Sequence, residues 1–170
     1  MKKIYLIILV VGVLFLLTGC KPQKLDLNKQ STVTYKDLSF NLIEGYEKEE
    51  TITSTTYNME SRTEKCTFDI STSKDNHTIG QTLESEAKKS LVKYQSDRND
   101  NKVISGNETI NGVEWLLLIY ADAQDGQLYS EHVMVALYNG EYYKLHYTDL
   151  GNTKSCNNIV KYTKDSFKFN

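Results

Sequence analysis

The residues of this chain that could carry chemistry are three histidines, three cysteines, a run of Asp and Asn, and a crowd of tyrosines. His132 and His146 fall on neighbouring predicted strands. The predicted register sets His146 against Val133 and His132 against Tyr147, so the two imidazoles point to opposite faces and cannot share a metal. His77 lies in a predicted loop. Ser-x-x-Lys spacing occurs at Ser71/Lys74, Ser85/Lys88 and Ser90/Lys93, the spacing of serine–lysine acyl transfer. That chemistry needs a serine at a buried helix start and further partner motifs. Here the pairs sit at a strand end or on a solvated helix, and no Lys-Thr-Gly follows. Asp97, Asn99, Asn101 and Glu108 match an EF-hand loop in spacing, with Ile104 at its hydrophobic position. Lys102 stands where that loop needs glycine, and a strand follows where a helix belongs. The ordinary reading is a solvated helix-to-strand connection, with ion binding at the Asp97 loop as the alternative.

Tyr120, Tyr129, Tyr142 and Tyr143 form a candidate ligand surface, because a tyrosine ring offers apolar area with a polar tip. Tyrosines of a core or a sheet face are the commoner reading. No Gly-rich phosphate loop, nucleophile elbow or paired-carboxylate helix is present, and no Cys-x-x-Cys. Redox catalysis, zinc and other cofactors therefore have no support in the sequence. No catalytic or metal-binding residue is predicted, and the chain reads as a non-enzyme.

These residues must be positioned by one domain's worth of chain. The 170 residues carry Lys+Arg 20 against Asp+Glu 22. A mildly acidic balance without a basic face argues against nucleic acid and against electrostatic attachment to membranes. Thr34-Tyr35 and Leu38 to Ile43 read as short strands around a turn at Lys36-Asp37. Cys66, Phe68 and Ile70 alternate with polar residues, giving a strand with one apolar face. Ile79, Leu83, Ala87, Leu91 and Tyr94 recur at helical spacing, and Thr78 with Gln81 fits a capping box. A meander follows, punctuated by Asn111-Gly112, Asp125-Gly126 and Asn139-Gly140, which are strong hairpin signals. Two-residue loops pair Ile119 with His132 and Met134 with Leu145. Trp115, Leu117, Ile119, Met134, Ala136, Tyr143 and Leu145 then share one face, and Leu116, Leu118, Val133, Val135 and Leu137 the other. Two apolar faces require cover on both sides. Cys156, Ile159, Val160 and Thr163 follow helical spacing and are expected to supply the second cover, before a last strand at Ser166 to Phe169.

The N-terminus carries its own signal. Lys2 and Lys3 precede an apolar run from Ile4 to Leu17, and Leu17-Thr18-Gly19-Cys20 closes it. The run is short for a membrane span and has a cleavage-type flank. It resembles the lipobox of bacterial lipoproteins, which implies cleavage between Gly19 and Cys20 and lipidation of the Cys20 thiol. Residues 1–19 are then a signal peptide, 20–32 a lipid-anchored polar tether containing Pro22, and 33–170 a single domain. The partners expected are the membrane, through lipidated Cys20, and an extracytoplasmic protein or cell-envelope component. Usage rich in Lys, Asn, Thr and Tyr is that of an AT-rich genome and points to a Gram-positive cell surface. In an exported domain, Cys66 and Cys156 could bridge, since both are predicted to face inward. Two separately buried thiols are the alternative.

The order of elements also resembles the PsbP-like fold. The resemblance rests on Tyr35-Lys36-Asp37-Leu38-Ser39-Phe40, on the single mid-chain helix, on Asn111-Gly112 before an apolar strand, and on the helix before Ser166-Phe167-Lys168-Phe169. It covers about Val33 to Phe169. It implies an α+β domain, an antiparallel sheet covered on both faces by helices, and roles in binding or assembly rather than catalysis.

Overall fold

The computed structural model describes residues 29–52, 54–60, 65–124, 126–150 and 154–170. Residues 1–19, the Gly19–Cys20 bond and most of the expected tether lie outside them. The described strands are β1 (Gln30–Tyr35), β2 (Leu38–Ile43), β3 (Tyr46–Glu50), β4 (Ser54–Glu60), β5 (Lys65–Lys74), β6 (Val103–Ile110), β7 (Val113–Gln124), β8 (Gln127–Tyr138), β9 (Glu141–Leu150) and β10 (Lys168–Phe169). The described helices are α1 (Leu83–Ser90), α2 (Val92–Asp97) and α3 (Lys154–Asp165). One antiparallel sheet runs β3-β4-β5-β9-β8-β7-β6, and a second runs β1-β2-β10.

The meander forms as its turns dictate. Ile119 pairs with His132 and Met134 with Leu145. Asn111 and Gly112 have φ of 49° and 84°, and Asn139 and Gly140 of 48° and 74°. Positive φ at both central residues is the type I′ turn, whose twist matches that of the strands it joins.

Each face of the large sheet has its own core. On one, Leu118, Tyr120, Val133, Val135 and Tyr142 are buried against Ala87 of α1, Tyr94 of α2 and Leu91 between them. On the other, Trp115, Met134, Ala136, Tyr143, Leu145, Phe68 and Ile70 meet Leu38, Phe40 and Leu42 of β2, with Cys156, Ile159 and Val160 of α3.

The second cover corrects the expected fold. The domain is not an antiparallel sheet with helices over both faces, and the PsbP-like α/β sandwich does not describe it. It is mostly strand, in two antiparallel sheets. β2 buries alternate residues, so it presents a flat apolar row that packs sheet on sheet. The C-terminal strand locks that row in place. Phe167 lies 5.8 Å from Phe40 and 5.2 Å from Trp115 between ring centroids, Phe169 stacks on Tyr138 at 4.2 Å, and Asn111 Nδ2 donates to the Phe167 carbonyl at 2.6 Å.

The mid-chain helix is shorter than its apolar spacing predicts. Thr82 is the N-cap, and Thr82 and Ser85 form the capping box in place of Thr78 and Gln81. Ile79 is left fully exposed in the preceding loop. At Leu91 the backbone is extended, which divides α1 from α2.

Candidate functional site

The polar groups concentrate between the large sheet and the α1–α2 cover. Glu131 of β8 is fully buried. Its Oε1 accepts from the Val92 amide at 2.6 Å, and its Oε2 from the Lys93 amide at 3.0 Å. These N–H groups begin α2, where helix amides lack intrahelical acceptors and an anion is favoured. Glu131 Oε1 is also 2.8 Å from His146 Nε2, and His146 Nδ1 is 3.7 Å from Asp69 Oδ2 of β5. Thr56 donates to Asp69. Burial alone would favour neutral His146, but the charge of Asp69 and the hydrogen-bonded carboxylate of Glu131 override it and raise its pKa to about 9. Glu131 itself is disfavoured as an anion by burial, yet His146 and the two amides hold its carboxyl below the usual range. The protonated ring beside it lowers Asp69 likewise.

A second cluster lies under α1. Glu86 is 3 % exposed and engages Lys89 at 2.6 Å, Ser73 at 3.0 Å, Lys144 at 3.2 Å and Gln81 at 3.3 Å. Burial opposes its charge, while Lys89, Ser73 and Lys144 hold its pKa down at about 2. Chemically, both clusters hold charge in place. Each His146 nitrogen faces a carboxylate, so the ring is an imidazolium at neutral pH and fastens β5 and β9 to β8 and α2.

Tyr120 and Tyr142 are buried beneath α1 and α2, Tyr143 is buried in the opposite core, and Tyr129 is half-buried. The four therefore do not form one stacking surface. Strand alternation sets Tyr143 on the face opposite the other three, and the covers of the two faces bury Tyr120, Tyr142 and Tyr143. His132 and His146 do lie on opposite faces. His132 stacks on Tyr147 at 4.3 Å, and its Nε2 is 2.9 Å from Ser130 Oγ.

At the Asp97 loop a lysine stands where an ion would. Lys102 Nζ lies 3.0 Å from both Asp97 and Asp122, and Tyr120 donates to Asp97. Glu108 is ion-paired to Lys164 of α3 instead, so it does not converge with Asp97. Among the described residues no group of three His, Cys, Asp or Glu could hold a metal.

Cys156 is disulfide-bonded and buried among Ile159 and Val160. Cys66 lies in β5 opposite Met59, and its side chain falls outside the described atoms. Cys20 falls outside the described residues altogether. No described helix is long and apolar enough to cross a membrane. Sequence reasoning missed Glu131 and Glu86 as organising groups. Glu131 carried a signal: it is the one acid of β8 and lies two residues before the apolar run Val133-Met134-Val135-Ala136-Leu137.

No protein-family model matches the chain, and no curated protein matches it in sequence. A crystal structure from Bacteroides thetaiotaomicron is similar in fold, with a TM-score of 0.53 at 13 % identity over 84 % of this chain. This chain spans about half, 48 %, of that one. A protein of unknown function from Pseudomonas aeruginosa aligns over 78 % of this chain and 89 % of its own, with a TM-score of 0.41 at 10 % identity. The likeness to the Bacteroides structure concerns the fold alone.

Proposed function

We propose that this chain is a lipid-anchored extracytoplasmic lipoprotein whose β-rich domain binds a protein or cell-envelope component and catalyses no reaction. The observation that carries this reading is Leu17-Thr18-Gly19-Cys20 at the end of a basic-then-apolar leader, with the first described strand opening ten residues later at Gln30. Two acyl chains at roughly 0.8 kcal/mol per buried methylene anchor far more firmly than one. The charges of Glu86, Glu131 and His146 under α1 and α2 are engaged in holding elements together.

The test is expression of the full chain and of Cys20→Ala in a Gram-positive host. The wild type should enter the detergent phase on phase separation, and mass spectrometry should find an N-terminal diacylglyceryl Cys20. Cys20→Ala should accumulate uncleaved. Equal cleavage and equal membrane retention of the two would refute the anchor. Crosslinking on intact cells with mass spectrometry would then name the partner, and enrichment of no envelope component over the Cys20→Ala control would refute the binding role.

A further inference from the structure

The large sheet ends on two strands of different character. β3 carries Glu47, Lys48, Glu49 and Glu50, the kind of charge that keeps a sheet edge from recruiting another strand. β6 reads Val-Ile-Ser-Gly-Asn-Glu-Thr-Ile, with neither lysine nor proline. Its single acid, Glu108, is engaged by Lys164, and Ile104 is 61 % exposed.

The hairpin fixes which backbone groups of β6 are free. In a two-residue type I′ loop the flanking residues, here Ile110 and Val113, exchange both hydrogen bonds. Alternation then turns the N–H and C=O groups of Ile104, Gly106 and Glu108 toward β7. Those of Val103, Ser105, Asn107 and Thr109 point outward. Among the described residues no strand pairs with that outer row; the Val103 N–H closes the preceding turn on the Asp100 carbonyl, and no backbone hydrogen bond is made to Ser105, Asn107 or Thr109 from outside the sheet.

Such a row is matched by an extended chain. We propose that the chain is β6 of a second copy, paired antiparallel about a two-fold axis through Asn107. An axis perpendicular to the sheet keeps corresponding faces on the same side, so only registers that oppose outward residues to outward residues are allowed. Centring on Asn107 sets Ser105 opposite Thr109 of the second copy and Asn107 opposite itself. Exposed Ile104 then meets Ile110 of the second copy, on the face that holds Trp115. Glu108 falls opposite Gly106, so no like charges meet. Centring on Gly106 would instead set Ile104 against Glu108. β3 has no such solution: an axis at Lys48 opposes lysine to lysine and Glu47 to Glu49, and an axis at Glu49 opposes glutamate to itself. Edge pairing alone buries less than the roughly 1,200 Å² of a small specific interface, so the dimer is weak and its population depends on concentration.

Both cores are built from residues 33–169, so a chain of residues 21–170 carries the whole described fold. Sedimentation equilibrium over a hundredfold concentration range should show a reversible monomer–dimer exchange. Asn107→Pro removes one outward N–H and no bond to β7, as edge positions tolerate. It should abolish the dimer and leave Tm within a few degrees, and Asn107→Lys, which opposes two ammonium groups at the axis, should do the same. Asn107→Cys should crosslink to itself under mild oxidation at least tenfold faster than Glu114→Cys, an exposed control on β7. A monomer at every concentration overturns the proposal, even if β6 then binds an extended segment of another protein. Equal crosslinking at the two cysteines overturns the register.

Discussion

Glu131 and His146 meet diagonally across β8 and β9, Oε1 to Nε2 at 2.8 Å, and the same carboxylate receives the first two amides of α2. One buried anion thus joins the sheet to its helical cover. Breaking a buried pair leaves the other charge without compensation, at a cost of about 3–5 kcal/mol.

This relationship makes stability depend on pH. The folded-state pKa of His146 is raised to about 9 from 6.5. Its contribution is therefore complete below about 6.5 and is lost as pH rises through about 9. Denaturant unfolding of wild type and His146→Gln should differ by about 3 kcal/mol at neutral pH, and the gap should close by pH 10. NMR titration of the His146 ring should give a midpoint well above 8. A midpoint near 6.5 would mean that the two carboxylates do not hold the proton.

Glu86 predicts the opposite dependence. Its carboxyl is held at about 2, below the usual 4.5, so its contribution is present above 4.5 and is lost as pH falls through about 2. Glu86→Ala should lower Tm strongly at pH 7, because it strands Lys144, which is 12 % exposed at its side chain. The two proteins should converge near pH 2. A Tm difference independent of pH would assign Glu86 a packing role only.

Consecutive residues of β8 test the two covers. Val135 is buried under α1, and Met134 faces β2 and α3. A charge at either site is buried without a partner. Val135→Asp and Met134→Asp should each cost more than about 4 kcal/mol. Leu137→Asp, at a position 43 % exposed, should cost under about 1 kcal/mol. A mild effect at Val135 or Met134 would show that its face is open.

The meander was legible because Asn-Gly turns fix both register and face, and the pairing of Met134 with Leu145 follows from the two-residue Asn139-Gly140 loop alone. The second sheet was not legible. Leu38, Phe40 and Leu42 announce a strand, but nothing in a period of two says which sheet it joins. Helical spacing also misled at Ile79, where Thr82 and Ser85 offered a better cap four residues on. Glu131 escaped because an acid flanked by Ser130 and His132 reads as a surface position until the helix start that satisfies it is known. Tyrosine type alone could not separate a stacking surface from a core, and burial beneath α1 decided for Tyr120 and Tyr142.

Cys156 is disulfide-bonded in the core between α3 and the sheets. Besides Cys20 and Cys156 the chain holds one other cysteine, Cys66, on β5, one of the two strands against which α3 packs. We propose Cys66 as the partner. A bridge between residues so far apart in sequence closes a long loop and adds on the order of 4 kcal/mol in the chain-entropy treatment. Residues 21–170, unfolded without reductant, should show no titratable thiol. Cys66→Ser should release one, at Cys156, and lower Tm by as much as reduction lowers that of the wild type. Two thiols in the unreduced wild type would end the assignment.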